Sequence, residues 1–290
     1  MKFLISRLSA TMSKERVLIA VKAYPTLSRK YAELVCTAGF REDGSWIRIY
    51  PLPFRSLEDN RRFKKYQWIE IDLQKNPKDP RPESYRPIDI NNINLLETID
   101  TENEWEERRR LILEKNTIHT NMNQIIEAAK NNEYSLAIFK PTKIVNFIAK
   151  RTDPNWELSK EKAVEAAIRQ GSLFNELDLY PGGFELMPKL PWKFQYEFLD
   201  DEDKSSTLMI EDWEIGQLYW NCLKKDNPEE AVKKVREKYL YDFARTKDLY
   251  LFLGTTRRWH SVGPNPYVII GTFHPPHIKQ RQPSLFQEDP

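Results

Sequence analysis

Apolar side chains occur along this chain in short runs separated by charged stretches, and most of these runs have the length of β-strands. Arg16–Lys22 is an apolar, β-branched run that predicts a buried strand. Trp192–Leu199 carries aromatic rings at alternate positions, which predicts a strand with one aromatic face. The same criteria predict strands at Gln67–Leu73, Ser135–Phe139, Thr142–Ala149, Ser206–Ile210, Asp248–Leu253 and Pro266–Phe273.

The region 37–50 carries the clearest turn signal. Thr37–Arg41 and Ser45–Tyr50 flank an Asp-Gly pair, which is typical of a β-hairpin turn. In the second strand the isoleucines face one side, whereas Trp46, Arg48 and Tyr50 face the other. We therefore expect a hairpin with one aliphatic face and one basic, aromatic face.

Helices are expected in the middle and towards the C-terminal end. The pattern predicts them at Glu102–Lys115, Met122–Asn131, Ser159–Arg169, Glu211–Leu223 and Pro228–Phe243. Lys75–Pro87 contains four prolines among charged residues and is expected to be an irregular loop. Because strands and helices do not alternate regularly, we predict an α+β fold. It combines a mixed, largely antiparallel sheet or small barrel with a helical middle segment and C-terminal helices.

The predicted elements suggest four parts. Residues 13–100 form a β-rich part, 101–185 a helical part, 186–278 an α+β part and 279–290 a flexible tail. Since no Gly/Ser-rich linker separates these parts, a single intertwined domain is the alternative.

Composition narrows the functional classes. With 9 glycines and no glycine-rich phosphate loop, the sequence argues against Rossmann and P-loop enzymes, and we predict no cofactor. Two cysteines cannot form a disulfide framework or a Cys-x-x-Cys zinc site, so we predict no metal and a reducing, cytoplasmic location. Apolar runs are all too short to span a membrane. The net charge of +2 means that nucleic-acid binding would depend on local clusters of Lys and Arg.

One such cluster lies in the N-terminal part. Basic residues there are interleaved with aromatic ones, a combination that can contact phosphates and stack on exposed bases. Together with two arginines after a predicted C-terminal strand, the predicted nucleic-acid-binding residues are Arg41, Trp46, Arg48, Tyr50, Arg55, Arg61, Lys64, Lys65, Arg257 and Arg258. The segment Val17–Val35 (VLIAVK…KYAELV) resembles the opening of PUA-like domains of the ASCH kind. That resemblance implies a small barrel that binds RNA or modified bases in a cleft.

The last residues carry a second motif. Gln282, Leu285 and Phe286 stand in the order Q-x-x-L-F, with Pro283 where Leu is usual. This resembles the tail peptide by which many bacterial DNA polymerases and mismatch-repair proteins dock on the replicative sliding clamp. Such a tail inserts two apolar side chains into a preformed groove. The resemblance implies a DNA-associated protein that binds DNA or RNA and is recruited to the clamp in repair, modification or phage defence.

The sequence is compatible with an enzyme as well as with a binding protein. Asp212 and Glu214 open a predicted helix, and Arg257, Arg258 and His260 follow a strand, so convergence would create an acid–base or metal site. This is the alternative of a metal-dependent nuclease or a nucleotide- or base-modifying enzyme, with weak catalytic candidates Asp212, Glu214 and His260. A third alternative is a non-catalytic adaptor that bridges the clamp to another protein through the aromatic face of Trp192–Phe198. His274 and His277 are expected to lie in a surface linker.

Overall fold

A computed structural model describes residues 14–28, 32–57, 59–157, 162, 164 and 186–278. It confirms the predicted α+β class, with a curled mixed sheet that forms a half-barrel and with helices in the C-terminal part. None of the helices in these ranges is long and apolar enough to cross a membrane. The predicted helix Ser159–Arg169 lies largely outside the described residues.

The first half of the chain builds the larger sheet. Its strands are β1 (Glu15–Lys22), β2 (Thr26–Ser28), β3 (Ala32–Leu34), β4 (Thr37–Phe40), β5 (Trp46–Ile49), β6 (Gln67–Ile71), β7 (Leu73–Lys75), β8 (Ser84–Pro87) and β9 (Asn94–Thr98). Seven of them form one sheet in the order β7-β8-β5-β4-β1-β6-β9, while β2 pairs with β3. The pairs are antiparallel except for β5 with β8. The predicted hairpin is present, and Gly44 adopts the positive φ that its turn requires.

The second half builds two smaller sheets. They contain β10 (Ile118–His119), β11 (Leu136–Phe139), β12 (Lys143–Arg151), β13 (Trp192–Leu199), β14 (Ser205–Met209), β15 (Tyr250–Thr255) and β16 (Tyr267–Phe273). One sheet has the order β10-β11-β15-β16 and the other the order β12-β13-β14. The main chain at Asp212 bridges to Ala23 just beyond β1, so the two halves are joined next to β1.

The helices are α1 (Glu102–Ile112), α2 (Met122–Lys130), α3 (Trp213–Leu223) and α4 (Pro228–Arg236), followed by a π-helical segment (Glu237–Phe243) and a short turn (Ala244–Thr246). Two 3₁₀ turns span Phe54–Ser56 and Asp59–Arg61. Three left-handed residues open α1, at Asn103, Glu104 and Trp105. The predicted helix Pro228–Phe243 is helical throughout, but its hydrogen-bond pattern changes from α to π after Arg236.

Two expectations about individual segments are corrected. Lys75–Pro87 is not irregular throughout, because Ser84–Pro87 forms β8 and pairs with both β5 and β7. The aromatic face of β13 is not available to a partner. Phe194, Tyr196 and Phe198 are buried, and the Tyr196 hydroxyl donates to the Tyr239 carbonyl at 2.6 Å. Aromatic rings with so much apolar area are more stable in the core than at the surface.

The core crosses the boundaries predicted from sequence. One cluster of buried side chains joins Leu18 and Phe40 of the large sheet to Ile112 at the end of α1, Leu136 of β11 and Phe252 of β15. Ring pairs such as Phe40 with Phe252, whose centroids lie 6.0 Å apart, form part of this shared core. The larger sheet and the sheet β10-β11-β15-β16 thus share this cluster of apolar side chains.

Candidate functional site: a buried acid–lysine cluster

A group of ionisable side chains lies where the large sheet meets the start of α3. Its members come from four separate segments, and we call the set the acid–lysine cluster: Lys22, Lys65, Tyr66, Asp212, Glu214 and His274. Backbone pairing assembles it, since the Tyr24 N–H donates to the Glu211 carbonyl at 2.9 Å and the Glu211 N–H to Ile269 at 2.8 Å. The end of β1 and the strand β16 therefore both fix the position of the Asp212 side chain.

Asp212 is the most buried acid in this cluster, with 2% of its surface exposed. It is the N-cap of α3, and its Oδ1 accepts the Glu214 N–H at 3.1 Å. Oδ2 is buried and has no hydrogen-bond partner among the described residues. Burial raises the pKa of Asp212 to about 7, although the nearby charge of Lys65 lowers it. At neutral pH this carboxyl is therefore distributed between its protonated and ionised forms.

Lys65 and Glu214 form an ion pair at the exposed side of the cluster. Lys65 Nζ lies 2.7 Å from Glu214 Oε2 and donates to the Thr272 carbonyl at 3.1 Å. The Lys65 side chain is 10% exposed, whereas that of Glu214 is 45% exposed. Burial alone would raise the pKa of Glu214, but the Lys65 ammonium lowers it below the usual value. Because the Glu214 side chain is so exposed, we place it at the solvent edge and treat Lys65 as the fixed positive charge.

Lys22 differs from Lys65 in its partners. Its Nζ donates to the Phe63 carbonyl at 3.4 Å and lies 4.6 Å from the centroid of the Phe54 ring. No described carboxylate forms an ion pair with it. Burial lowers the pKa of Lys22, and the charge of Lys65 lowers it further, while Glu214 and Asp212 act in the opposite direction. The amine of Lys22 is thus deprotonated more readily than that of an exposed lysine.

Tyr66 adds a buried hydroxyl. Its backbone is left-handed (φ 60°), and its oxygen is buried without a hydrogen-bond partner in the described part of the chain. Burial raises the pKa of Tyr66 to about 12, so the hydroxyl is neutral. The Arg108 guanidinium lies 4.1 Å from the Tyr66 ring centroid and 4.9 Å from that of Trp105. A positive group and two aromatic rings therefore border the cluster.

His274 closes the cluster on the side of β16. Its ring stacks on Phe243 with centroids 3.6 Å apart, and its Nδ1 lies 3.4 Å from Thr272 Oγ1. Burial and the charge of Lys65 lower the pKa of His274 to about 3, so the ring is neutral. The expectation of a surface linker is therefore wrong for His274, although it holds for the exposed His277.

His260 does not join the two carboxyls. Its Nδ1 lies 3.0 Å from Thr255 Oγ1 and its Nε2 lies 2.8 Å from Asn132 Oδ1, so both nitrogens are already engaged. Burial lowers the pKa of His260, as do the positive charges of Arg81 and Arg48. No set of three His, Cys, Asp or Glu side chains in the described residues is arranged to hold a metal ion. His260 therefore does not complete an acid–base set with Asp212 and Glu214, because its hydrogen bonds hold it in a separate network.

A set of buried polar contacts around Arg48 and Arg81 joins the two halves of the chain. Arg48 is 2% exposed and donates from Nη1 to Ser135 Oγ at 2.6 Å, while Ser135 Oγ donates to Glu83 Oε2 at 2.7 Å. Arg81 forms a two-point ion pair with Asp79 at 2.9 and 2.6 Å. Burial alone would raise the pKa of Asp79, but Arg81 lowers it to about 2. We attribute a structural role to these contacts, since all of the polar atoms named here are engaged.

The predicted nucleic-acid-binding residues are not gathered on one surface. Arg48 is buried, and Trp46 packs on Phe40 with centroids 4.0 Å apart. Two arginines are paired with acids, Arg41 with Glu15 at 2.9 Å and Arg55 with Glu33 at 2.7 Å. Tyr50 is half-buried, Lys65 belongs to the acid–lysine cluster, Arg61 donates to Asn91 at 3.1 Å, and Lys64 is exposed. Cross-strand packing and ion pairing thus use residues that composition alone suggested for phosphate contact.

Arg257 and Arg258 are exposed on the loop between β15 and β16. Trp259 beside them is 47% exposed, and the Arg258 guanidinium lies 4.8 Å from its ring centroid. Neither arginine pairs with a described acid. Gln282, Leu285 and Phe286 lie outside the described residues.

Sequence reasoning identified Asp212, Glu214 and Lys65 but assigned them to two different sites. It missed Lys22, Tyr66 and His274. Lys22 gave a faint signal, since it ends an otherwise apolar strand and is the one charged residue of the run Val17–Lys22. Nothing local marks Tyr66 or His274, because their surroundings are supplied by distant segments.

Two family models match the chain. Domain of unknown function (DUF8758) covers residues 13–114, and Domain of unknown function (DUF8757) covers residues 118–290. The second match includes more than half of the chain and contains Asp212, Glu214 and His274. The first contains Lys22, Lys65 and Tyr66, so the acid–lysine cluster draws on both matched regions. No curated protein matches the chain.

Proposed function

The chain belongs to the family described as Domain of unknown function (DUF8757), and from the acid–lysine cluster we propose that it is an enzyme that performs acid–base chemistry on a nucleotide or nucleic acid. The observation that carries this proposal is the buried Oδ2 of Asp212, which has no hydrogen-bond partner among the described residues. An N-cap needs only one carboxylate oxygen, and that is Oδ1. The second oxygen is free to exchange a proton with a bound molecule.

The pKa of Asp212 supports this role. A general acid or base works best when its pKa lies near the working pH, and burial brings this carboxyl to about 7. Strongly shifted pKa values next to a charge partner are typical of functional sites, although structural ion pairs also cause them. We propose that a substrate approaches this carboxyl from the side of Glu214, whose side chain is 45% exposed.

Positive charge at the exposed side of the cluster favours an anionic substrate. When Asp212 is protonated, the Lys65 ammonium offsets the Glu214 carboxylate, and Lys22 adds a positive charge whenever its amine is protonated. The exposed Lys64 precedes Lys65 in the sequence, and Arg108 lies over the ring of Tyr66. Ammonium and guanidinium groups bind phosphate oxygens with strong, charge-assisted hydrogen bonds. We propose that Arg257, Arg258 and Trp259, on the loop between β15 and β16, give a longer nucleic acid a second contact.

A conversion assay tests the proposal. Single- and double-stranded oligonucleotides, with and without damaged bases, and free nucleotides are incubated with wild-type protein and with Asp212→Asn. Mass spectrometry then measures the products. Asn keeps the helix cap but cannot donate or accept the proton, so we expect conversion to fall by about 10²–10⁴-fold. Lys64→Ala serves as the control for phosphate binding. It should weaken binding and reduce the salt dependence of affinity while leaving the chemical step intact.

Two outcomes would contradict the proposal. One is equal conversion by wild type and Asp212→Asn, which would remove this carboxyl from the chemistry. The other is the absence of both conversion and binding for every substrate at low salt, since phosphate-driven binding must be strongest there.

We also propose that Gln282–Phe286 recruits the protein to a bacterial sliding clamp. The support is the order Q-x-x-L-F in the sequence. Burial of a Leu and a Phe at roughly 1.5–3 kcal/mol each, less the cost of ordering the peptide, would give weak but specific binding. A pull-down with purified clamp should retain the wild type and lose Leu285→Ala/Phe286→Ala. Equal retention of both proteins would remove the recruitment proposal without affecting the catalytic one.

A further inference from the structure

We propose that Lys22 is an amine nucleophile that forms a Schiff base with an aldehyde carried by a phosphate-bearing substrate. The inference rests on the proposed function and names its reaction class. Two lysines share the acid–lysine cluster, but they differ in their hydrogen bonds and ion pairs. Lys65 is held by Glu214 at 2.7 Å and by the Thr272 carbonyl at 3.1 Å, so its ammonium form is fixed.

Lys22 has a different set of contacts. Among the described residues its Nζ has one hydrogen bond, a long one of 3.4 Å in which it donates to the Phe63 carbonyl. An amine that donates a single N–H still has its lone pair available. The Phe54 ring at 4.6 Å favours the ammonium form, but burial and the charge of Lys65 act against it, and the net effect lowers the pKa of Lys22. An apolar wall and a neighbouring cation are the two features that activate lysine amines in enzymes.

Asp212 provides the proton transfers that such a reaction needs. The neutral Nζ of Lys22 attacks the aldehyde carbon: the C–N bond forms, the π bond of the carbonyl breaks, and one proton passes from the nitrogen to the oxygen. The resulting carbinolamine then loses water: its C–O bond breaks as Asp212 donates a proton to the departing oxygen, and the nitrogen lone pair completes the C=N bond. The nitrogen finally returns its remaining proton to the Asp212 carboxylate, which leaves the neutral imine and restores the acid. The net change is amine plus aldehyde giving imine plus water. Oxidation states do not change, so the step needs no further reactant.

The surroundings define the substrate class. The Lys65 ammonium in the cluster and the exposed Lys64 that precedes it in the chain supply positive charge for a phosphate next to the reacting carbon. A nucleic-acid sugar that has lost its base exposes an aldehyde between two phosphates. A free sugar phosphate offers the same chemistry without a nucleic acid, so both sources must be tested.

The test traps the imine in the full-length protein. Wild-type protein is mixed with sodium cyanoborohydride and a labelled oligonucleotide that contains one abasic site. A parallel arm uses ribose 5-phosphate, and a third uses the undamaged oligonucleotide. Denaturing gels or intact-mass measurement quantify the adduct, and peptide mapping identifies the modified lysine. We expect an adduct on Lys22 with the abasic oligonucleotide and none with the undamaged one.

Two variants test whether the adduct forms on the Lys22 amine. Lys22→Arg keeps the positive charge but has no nucleophilic amine, so the adduct should fall by about tenfold or more. Lys130→Arg is the matched control, because Lys130 is an exposed lysine at the end of α2 and has no part in the acid–lysine cluster, so its replacement should leave trapping within about twofold. Peptide mapping on the wild type decides the question even if Lys22→Arg fails to fold. An adduct on Lys22 with ribose 5-phosphate alone supports the Schiff base and assigns the free sugar phosphate as its source.

Absence of an adduct in every arm, or an adduct on another lysine, would overturn the inference. The two proposals fail in different ways. If Asp212→Asn abolishes conversion but nothing is trapped, only the role of Lys22 is lost. If Lys22 is trapped by ribose 5-phosphate but no nucleotide or nucleic acid is bound or converted, the nucleophile stands and the proposed nucleic-acid function is lost.

Discussion

Some single residues lower the stability of the folded protein because they place a polar group in its interior. Asp212 is the clearest case, because its carboxyl is buried and only its Oδ1 is engaged by the helix it caps. Its pKa of about 7 in the folded protein lies above the ordinary value of 3.8. The folded state therefore binds this proton more tightly than the unfolded chain does. The carboxyl has no effect below about pH 4, and it destabilises the fold progressively as the pH rises to about 7.

Asp212→Asn should therefore stabilise the protein at high pH. We expect the free energy of unfolding to rise by about 2–4 kcal/mol above about pH 8 and to change by less than about 0.5 kcal/mol near pH 4. Denaturant unfolding of both proteins across this pH range measures the difference. A variant that is less stable than wild type at high pH would show that the ionised carboxyl has a partner that stabilises it.

The pair between Asp79 and Arg81 predicts the opposite behaviour. Both side chains are less than 10% exposed, and they share two hydrogen bonds. Asp79→Ala leaves the Arg81 charge buried and uncompensated, so we expect a loss of about 3–5 kcal/mol in unfolding free energy. Glu107→Ala removes an exposed pair with Arg110 and should leave the unfolding free energy nearly unchanged. Similar losses for the two variants in denaturant unfolding would contradict the structural role given to the buried pair.

The sequence predicted the role of a residue correctly where that role follows from the residue's local position. Asp212 precedes a helix, and its capping role and acidity follow from that position. His274 and Arg48 could not be placed in the same way. The ring of Phe243 and the hydroxyl of Ser135, which define their environments, are 31 and 87 residues away in the chain.

At the level of elements, close backbone approach limits what the sheet tolerates. β1 and β4 pair with a register shift between Ile19 and Val21, and Gly39 of β4 lies opposite Ile19. A Cβ added at Gly39 would overlap the carbonyl oxygen of Leu18. The backbone cannot move away without breaking ladder hydrogen bonds.

Gly39→Ala should therefore cost about 3 kcal/mol or more in unfolding free energy. Gly271→Ala in β16 is the control, because its Cβ would meet side-chain atoms of Phe252 and Val21 at 3.3 Å, which can adjust. Thermal unfolding of both variants measures the contrast. If Gly39→Ala is as stable as Gly271→Ala, the strands are not as close as described.

Element positions followed well from the sequence where apolar periodicity was strong. β1, β13, β16 and α2 lie within one or two residues of their predicted ranges. The sequence did not predict β8, because four prolines in Lys75–Pro87 indicated a loop. The strand forms through its pairing with β5 and β7 and not through local propensity. The switch to π-helical geometry after Arg236 was also not foreseen, because the i, i+4 apolar stripe continues through it.

For the whole molecule, the shared core and the buried polar links predict one cooperative unit. Side chains from both family-matched regions pack in the same apolar cluster, and Arg48 with Ser135 adds a buried link between them. Separating the regions would expose this apolar surface and leave the Arg48 charge without its partner. Calorimetry should therefore show a single transition with equal calorimetric and van't Hoff enthalpies. Two resolved transitions would show that the regions unfold independently.

The most direct test of the account is the titration of the Asp212 carboxyl. Infrared difference spectra between wild type and Asp212→Asn, recorded as a function of pH, isolate the carbonyl band of its protonated form. We expect this band to be present in mildly acidic solution and to disappear with a midpoint near pH 7. A midpoint near the ordinary value of 3.8 would contradict the proposed acid role, because the carboxyl would then be ionised throughout the neutral range and could not donate a proton.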